Sequence, residues 1–396
     1  MRPTWLRLLA PVAFLLGSLG LAAAAQAETV KIGVLLPYTG PFSAIAQQMD
    51  DGIKMYVDQH ANELGGHGIE ILRRDTTGAQ PDIAKRLAQE LLTRDHVQIL
   101  TGFVFTPNAL AVAPLATETK TPLIIMNAAT GLITTRSPYI ARTSFALWQT
   151  DLPLGTWAAT TGGVKSVYTI VSDFAAGIDA EQAFVAGYTE AGGTLAGSVR
   201  IPLVNPDYAP FLQRILDAHP DAIFVWQPPT SATAFMKAAS DLGLARAGIR
   251  VLGDNVADES QLQQIGDAAL GVVTAQHYTP MLKNSENEAF VAAWRAMHGP
   301  DSDPTYVAVG AWDGMALICH LIRTLDGKID GDQAMAVIKR YQALSPRGPL
   351  RIDPETRDAI NDIYIRRVER ADGRLVNAVI DTIPGVKDPW KQRNKP

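Results

Sequence analysis

The stretch VKIGVLLPYTGPFSAIAQQMDDGIKMYVDQ, Val30 to Gln59, decides how the fold begins. Its apolar, β-branched start predicts a strand over 29–36, and the amphipathic spacing after Ser43 predicts a helix over 43–62. Between them lies PYTGPFS, a turn rich in proline and glycine. Such a turn either only connects the two elements or presents backbone N–H groups to a ligand.

The same alternation of strand and helix recurs along most of the chain. In the first unit, further strands are predicted at 69–74, 97–101, 122–126 and 139–143, with helices at 81–93 and 107–117. A second unit repeats the pattern from a helix at 151–161 to a strand at 250–252. Beyond it we predict a strand near 271–278, helices at 286–297 and 305–325, and three short final strands. Repeated strand–helix units indicate parallel sheets covered by helices, so we predict an α/β fold of two doubly wound parallel-sheet lobes.

The first 27 residues have the features of an export signal. Arg2 and Arg7 precede an apolar run, and Ala25-Gln26-Ala27 supplies the small residues of a cleavage site. We expect cleavage near Ala27. An uncleaved membrane anchor is the alternative, but proline and glycine interrupt the apolar run that it would need.

Composition and motif content disfavour several classes of function. The 396 residues are 47% hydrophobic and carry a formal charge of −5, without the basic stripe that nucleic-acid binding requires. Cys319 is the only cysteine, which rules out an internal disulfide and cysteine-based metal clusters. The sequence has no dense metal-ligand spacing, phosphate loop or Gly-x-Ser-x-Gly motif. We therefore expect no metal, no cofactor and no enzymatic activity.

Three loops follow predicted strands of the first unit, where open parallel sheets bind ligands. The first contains Phe42 and Ser43, the second places Thr106 before Pro107 at a helix start, and the third ends in small residues and Thr130. We expect Ser43 and Thr106 to cap their helices. Helix N-termini and hydroxyls gathered at one sheet edge would bind an anion such as a carboxylate. The plainer interpretation is that these loops are only well-capped connections.

The order and spacing of six motifs resemble the periplasmic solute-binding proteins of ABC transporters, in particular the leucine/isoleucine/valine-binding type. The motifs are IGVLLPYTGPFSAIAQQMDDGIKM (32–55), ILTGFVFTPNALAVAPLATETKTPLIIMNAAT (99–130), SPYIARTS (137–144), TIVSDFAAGIDAEQAF (169–184), NPDYAPFLQRILDAHPDAIFV (205–225) and WDGM (312–315). The resemblance covers nearly all of the chain after the export signal. It implies a type I fold, in which a multi-strand hinge joins two lobes around a ligand cleft.

In that family, the second and third loops hold the carboxylate of the substrate. The matching positions here are Thr106, Ala128 and Thr130, which agrees with the anion site expected from the strand ends. The resemblance also implies that the PYTGPFS turn forms one wall of the cleft, with Phe42 and Ile45 nearby.

The second lobe departs from the amino-acid-binding pattern of the family. Ala176 lies where a tyrosine is usual, and QPPTSAT (227–233), which includes Thr230, replaces tyrosines that often reach amino-acid ligands. Asn255 takes the place of the acidic residue that pairs with an α-ammonium, although the adjacent Asp254 could still serve. Because a buried ammonium needs a charged partner, this pattern disfavours a ligand with an amino group.

Several aromatic residues lie near the predicted cleft. Phe105, Phe174 and Trp226 would contact an apolar or aromatic ligand body. Packing in the protein core is the alternative for these rings.

The resemblance implies a monomeric periplasmic protein that captures a small carboxylate-bearing solute by hinge closure and delivers it to an ABC permease. We expect an aromatic or apolar organic acid as the ligand. A branched-chain or other amino acid, or a sensory role for the same fold, remain alternatives. The predicted N-terminal lobe comprises 28–143 with 275–349 and the C-terminal lobe 144–274 with 350–396, with crossings near 142–144, 274–276 and 348–351.

Overall fold

A five-stranded parallel sheet forms the centre of the first lobe in the computed structural model, which describes residues 29–394. The predicted export signal therefore lies outside the described residues. The strands are β1 (Thr29–Leu36), β2 (Gly68–Asp75), β3 (Ile99–Gly102), β4 (Leu123–Ile125) and β5 (Ile140–Arg142), in the order β2-β1-β3-β4-β5. Helices α1 (Ser43–His60), α2 (Pro81–Thr93) and α3 (Thr106–Thr119) follow the first three strands. β3 and β4 are buried along their whole length, which explains their continuous apolar sequence.

The second lobe contains a larger, mixed sheet. Its parallel part has the order β10-β9-β8-β6-β7. The elements are α4 (Leu147–Ala159), β6 (Ser166–Ser172), α5 (Ala175–Glu190), β7 (Thr194–Ile201), α6 (Ala209–Ala218), β8 (Ala222–Trp226), α7 (Pro229–Asp241), β9 (Arg250–Gly253), α8 (Glu259–Ile265) and β10 (Val273–Gln276). In both lobes, helices begin just beyond the carboxyl ends of the parallel strands, so these ends present loops to the space between the lobes.

The last third of the chain completes both lobes. Its elements are α9 (Ser285–His298), α10 (Tyr306–Thr324), α11 (Gly331–Ile338), β11 (Gln342–Ser345), β12 (Gly348–Ile352), β13 (Ala359–Ala371), β14 (Arg374–Val386) and α12 (Pro389–Arg393). α10 packs on α1 of the first lobe, and β13 joins the second sheet antiparallel to β10. None of the helices within residues 29–394 combines the length and apolar character needed to cross a membrane.

The predicted fold class is confirmed, and several element boundaries are matched to the residue. β1, α2 and β8 have the predicted bounds, whereas β13 and β14 are each 13 residues long instead of short. The difference arises because β13 pairs with β10 on one side and β14 on the other, which supports a long strand. The short helices α8 and α11 and strand β11 were not predicted, since so few residues show no clear periodicity.

Buried ion pairs occupy the segments where the chain passes between the lobes. Arg142, at the end of β5, donates to Asp358 at 3.0 Å, and Arg347, between β11 and β12, lies 2.8 Å from Asp313. All four side chains are almost completely buried. Arg347 also donates to the Thr143 carbonyl in the crossing segment 143–144. Arg142 donates to a backbone carbonyl close to this segment. The two arginines thus provide hydrogen bonds to backbone carbonyls that are not paired within a β-sheet.

Replacing Gly52 by Ala should destabilise the first lobe, because α1 and α10 are in close contact at this position. A Cβ on Gly52 would lie 2.4 Å from the carbonyl oxygen of Ala308. Relieving such overpacking typically costs about 1–3 kcal/mol in the free energy of unfolding, measurable by chemical denaturation. Gln59→Ala, on the exposed surface of the same helix, should change it by less than about 0.5 kcal/mol. Equal stability of the two variants would contradict the close helix contact.

Candidate functional site

A cavity of about 70 Å³ lies between the carboxyl ends of the two sheets. By the same measure one water molecule needs roughly 10–15 Å³. The lobes touch across it, since the ring centroids of Phe105 and Phe174 are 6.4 Å apart in an edge-to-face arrangement. The cavity therefore lies between two lobes that are in contact with each other.

The structure brings most of the predicted site residues to this cavity. From the first lobe these are Phe42, Ile45, Phe105 and Thr106. From the second lobe they are Phe174, Ala176, Trp226, Asp254 and Asn255. Three predicted residues, Ala128, Thr130 and Thr230, are not part of the cavity lining.

Four helices begin at the cavity wall without a side-chain cap. The residues preceding α1, α3, α5 and α7 are Phe42, Phe105, Phe174 and Pro228, and none of them caps its helix through a side-chain hydrogen bond. In contrast, Asp258, Asn284 and Asp330 cap helices whose starts lie outside the cavity lining. The first N–H groups of a helix have no intrahelical acceptor, and they favour a negative charge. The cavity can therefore hold an anion.

The predicted capping roles of Ser43 and Thr106 are wrong, because both residues are already the first residue of their helices. The Thr106 hydroxyl has a different contact. The buried Thr130 hydroxyl donates to the Thr106 oxygen at 3.1 Å. Thr106 thus accepts from Thr130, which leaves its own hydroxyl hydrogen for a group in the cavity.

Arg142 holds the loop in which Ala128 and Thr130 lie outside the cavity lining. Its fully buried guanidinium donates to the carbonyl oxygens of Ala128 at 3.2 Å and Thr130 at 2.9 Å. The Ala128 N–H also donates to the Phe103 carbonyl at 2.8 Å. With their backbones held in this way, the neighbours Asn127 and Ala129 line the cavity instead.

Sequence reasoning missed lining residues that come from the crossing segments and from α10. Phe145 and Leu147 follow β5, and Tyr306 is the first residue of α10. Pro228 and Pro229 line the cavity next to Thr230, which lies in the first turn of α7. Tyr306 stands at the start of a predicted helix, but no local pattern indicates that this helix start lies at the cavity.

Polar groups without partners distinguish the second-lobe wall. Asp254 is fully buried, and neither carboxyl oxygen has a hydrogen-bond partner among the described residues. Burial raises the pKa of Asp254 to about 7, and burial next to Asp254 also raises the pKa of Asp151 well above the ordinary range. Burial thus disfavours the charged form of both carboxyls.

Asp179 connects the two lobes. It lies within α5, where its carboxylate accepts from the Gly131 N–H of the first lobe at 3.1 Å and from the Trp148 indole at 2.8 Å. Burial raises the pKa of Asp179 to about 6, against the opposing effect of these two hydrogen bonds. This contact exists only while the lobes are together.

Comparison with known proteins identifies the group of proteins that this chain is similar to. A family model described as "Periplasmic binding protein" matches residues 29–374. A curated relative from Brucella suis biovar 1, named "Leu/Ile/Val-binding protein homolog 6", is 41% identical over 371 residues, covering 93% of this chain and 95% of the relative.

Two solved structures of solute-binding proteins of ABC transporters have the same architecture. One, from Rhodopseudomonas palustris BisB5 in complex with 3,4-dihydroxybenzoic acid, has a TM-score of 0.88 and 46% identity, covering 92% of this chain and 99% of that one. Another, from R. palustris in complex with 4-hydroxybenzoate, has a TM-score of 0.87 and 40% identity, covering 91% and 98%.

Replacing Asp254 by Asn should reduce the pH dependence of stability. Because burial raises the pKa of this carboxyl to about 7, its contribution is fully present below the ordinary range near 4 and is lost as the pH rises through 7. Between pH 6 and pH 8 the titration of Asp254 should therefore lower the free energy of unfolding by on the order of 1 kcal/mol. Urea denaturation at both pH values should show a smaller loss in the variant. Asp217→Asn, at an exposed position on α6, should keep the full loss, and the same loss in all three proteins would disprove the assignment to Asp254.

Proposed function

The chain belongs to the periplasmic binding protein family, and on this premise we propose that it binds a small aromatic carboxylate between its lobes and delivers it to an ABC permease. The observation that carries the proposal is the uncapped start of α3 with Thr106, next to an aromatic cavity wall. We refer to Thr106 and the first N–H groups of α3 as the proposed anion seat. The role requires no catalytic step.

The carboxylate of the ligand would lie against Thr106 and the uncapped N-terminus of α3. The Thr130 hydroxyl already donates to Thr106, so the Thr106 hydroxyl hydrogen is available for a ligand oxygen. A donor that itself accepts a hydrogen bond is polarised and becomes a stronger donor. We therefore assign Thr106 to direct contact and Thr130 to positioning. Together with helix N–H groups, this seat needs no Arg or Lys in the cavity lining.

The body of the ligand would lie among aromatic rings from both lobes. Phe42 and Phe105 meet edge to face with ring centroids 4.8 Å apart, and Phe174 approaches Phe105 from the second lobe. Ring edges and faces of this kind favour a planar aromatic ligand by roughly 0.5–1.5 kcal/mol beyond area burial. Relatives of 40% and 46% identity that hold hydroxybenzoic acids support the same ligand class.

Binding would proceed by hinge closure. Segments near 142–144, 274–276 and 348–351 are proposed as the hinge between a lobe of 28–143 with 275–349 and a lobe of 144–274 with 350–396. A ligand that contacts both lobes stabilises the closed form over the open one by its differential affinity. We further propose that the protein acts as a monomer in the periplasm, where the closed form would dock on the permease.

A branched-chain amino acid is the second candidate ligand. It is favoured by the name of the Brucella relative and by Asp254, whose carboxylate could pair with an α-ammonium. The raised pKa of Asp254 weakens that alternative. To pair with an α-ammonium, the carboxyl must first lose its proton, and this deprotonation opposes binding of the cation.

A ligand panel should separate the two candidates. Benzoate and 4-hydroxybenzoate should raise the melting temperature of the protein in a thermal-shift assay more than leucine, isoleucine or valine at the same concentration. Binding to the native state alone stabilises it by mass action, so the shifts rank the affinities. A larger shift with leucine than with either aromatic acid would overturn the proposed ligand class.

Replacing Thr106 by Val should weaken the binding of benzoate. A buried ligand oxygen without its donor costs about 1–3 kcal/mol, which corresponds to a roughly 5- to 150-fold rise in the dissociation constant measured by calorimetry. Thr130→Val should have a smaller effect, since Thr130 acts through Thr106. Thr119→Val, at the exposed end of the same helix, is the matched control. An unchanged constant for Thr106→Val would remove this residue from the anion seat.

A further inference from the structure

The cavity lining contains three residues whose buried polar atoms have no partner among the described residues. They are the indole nitrogen of Trp226, both carboxyl oxygens of Asp254 and the amide oxygen of Asn255. Their exposed fractions are 8%, 0% and 5%. All three belong to the second lobe, at or just beyond the carboxyl ends of β8 and β9.

These second-lobe atoms need different hydrogen-bond partners from the donor groups on the first-lobe side. The indole N–H is a donor only, so it needs an acceptor, whereas the Asn255 oxygen needs a donor. Unpaired buried groups of this kind are costly, and a bound molecule is expected to supply their partners. The Tyr306 hydroxyl lies near Asn255, and the Trp226 indole lies near Asp254, but neither contact has the geometry of a hydrogen bond.

A hydroxyl group meets both requirements at once. It donates one hydrogen bond, to Asn255 or Asp254, and it accepts one, from the Trp226 indole. An ammonium group could donate to Asp254 but has no lone pair for the indole N–H. The bare ring edge of benzoate offers neither a donor nor an acceptor of this strength.

We propose that Trp226, Asp254 and Asn255 form a subsite for a ring hydroxyl at the end of the ligand opposite its carboxylate. This inference rests on the proposed function and makes it more specific. The preferred ligand is then a para-hydroxylated aromatic acid, and the unsubstituted acid is a weaker ligand. The two lobes divide the recognition, because the first binds the carboxylate and the second binds the hydroxyl.

The test compares benzoate with 4-hydroxybenzoate by calorimetry on the full protein. A site built to pair a hydroxyl rejects the analogue that lacks it, so the wild type should bind 4-hydroxybenzoate at least about 10-fold more tightly. In Trp226→Phe, which keeps an aromatic ring but lacks the N–H, this ratio should fall to less than about threefold. Asn255→Leu provides an independent second variant with the same expected result.

Trp157→Phe is the matched control, because the Trp157 indole N–H is also buried without a partner but lies outside the cavity lining. Its ratio should equal that of the wild type. Equal binding of the two acids by the wild type, or an unchanged ratio in both Trp226→Phe and Asn255→Leu, would overturn the subsite alone. Binding of neither acid would overturn the proposed function, and the subsite with it.

Discussion

Parallel strands impose the constraint on which the whole site depends: they deliver their carboxyl ends, and the starts of the following helices, to one edge of each sheet. Two such edges face each other here, so the starts of α1, α3, α5 and α7 converge on one cavity without side-chain caps. By contrast, α8, α9 and α11, which begin outside the cavity lining, carry Asp or Asn caps. The closed cleft therefore contains N–H groups that only water or a ligand can satisfy, and a ligand that satisfies them favours closure.

The two walls of the cleft differ in chemistry, which gives a bound molecule a direction. Thr106 and the start of α3 present donors on the first-lobe side, whereas Asp254 and Asn255 present oxygens on the second. A carboxylate next to Asp254 would raise the pKa of that carboxyl further, because like charges repel in a buried site. In the proposed complex, repulsion from Asp254 would therefore favour the anionic end of the ligand on the side of Thr106, with a neutral polar group at the opposite end.

The sequence predicted local features well and long-range ones poorly. β1, α2 and β8 were correct because each has a clear periodicity and end signals, and Thr106 and Trp226 follow from their positions at strand ends. Tyr306 and Phe145 reach the cavity from segments that are distant along the chain, which no local pattern shows. The orientation of the 128–130 loop was equally hidden, since it depends on hydrogen bonds from Arg142.

Arg142 also connects the anion seat to the proposed hinge. Its two terminal nitrogens donate to the carbonyls of Ala128 and Thr130, and its Nε donates to Asp358, which Lys391 of the C-terminal helix also contacts. Buried charges of this kind cost desolvation free energy unless each is paired, and here all three are. The same side chain thus holds the Thr130 backbone and pairs with Asp358 at the crossing. A rotation about the proposed hinge would therefore act on the residue whose hydroxyl donates to Thr106.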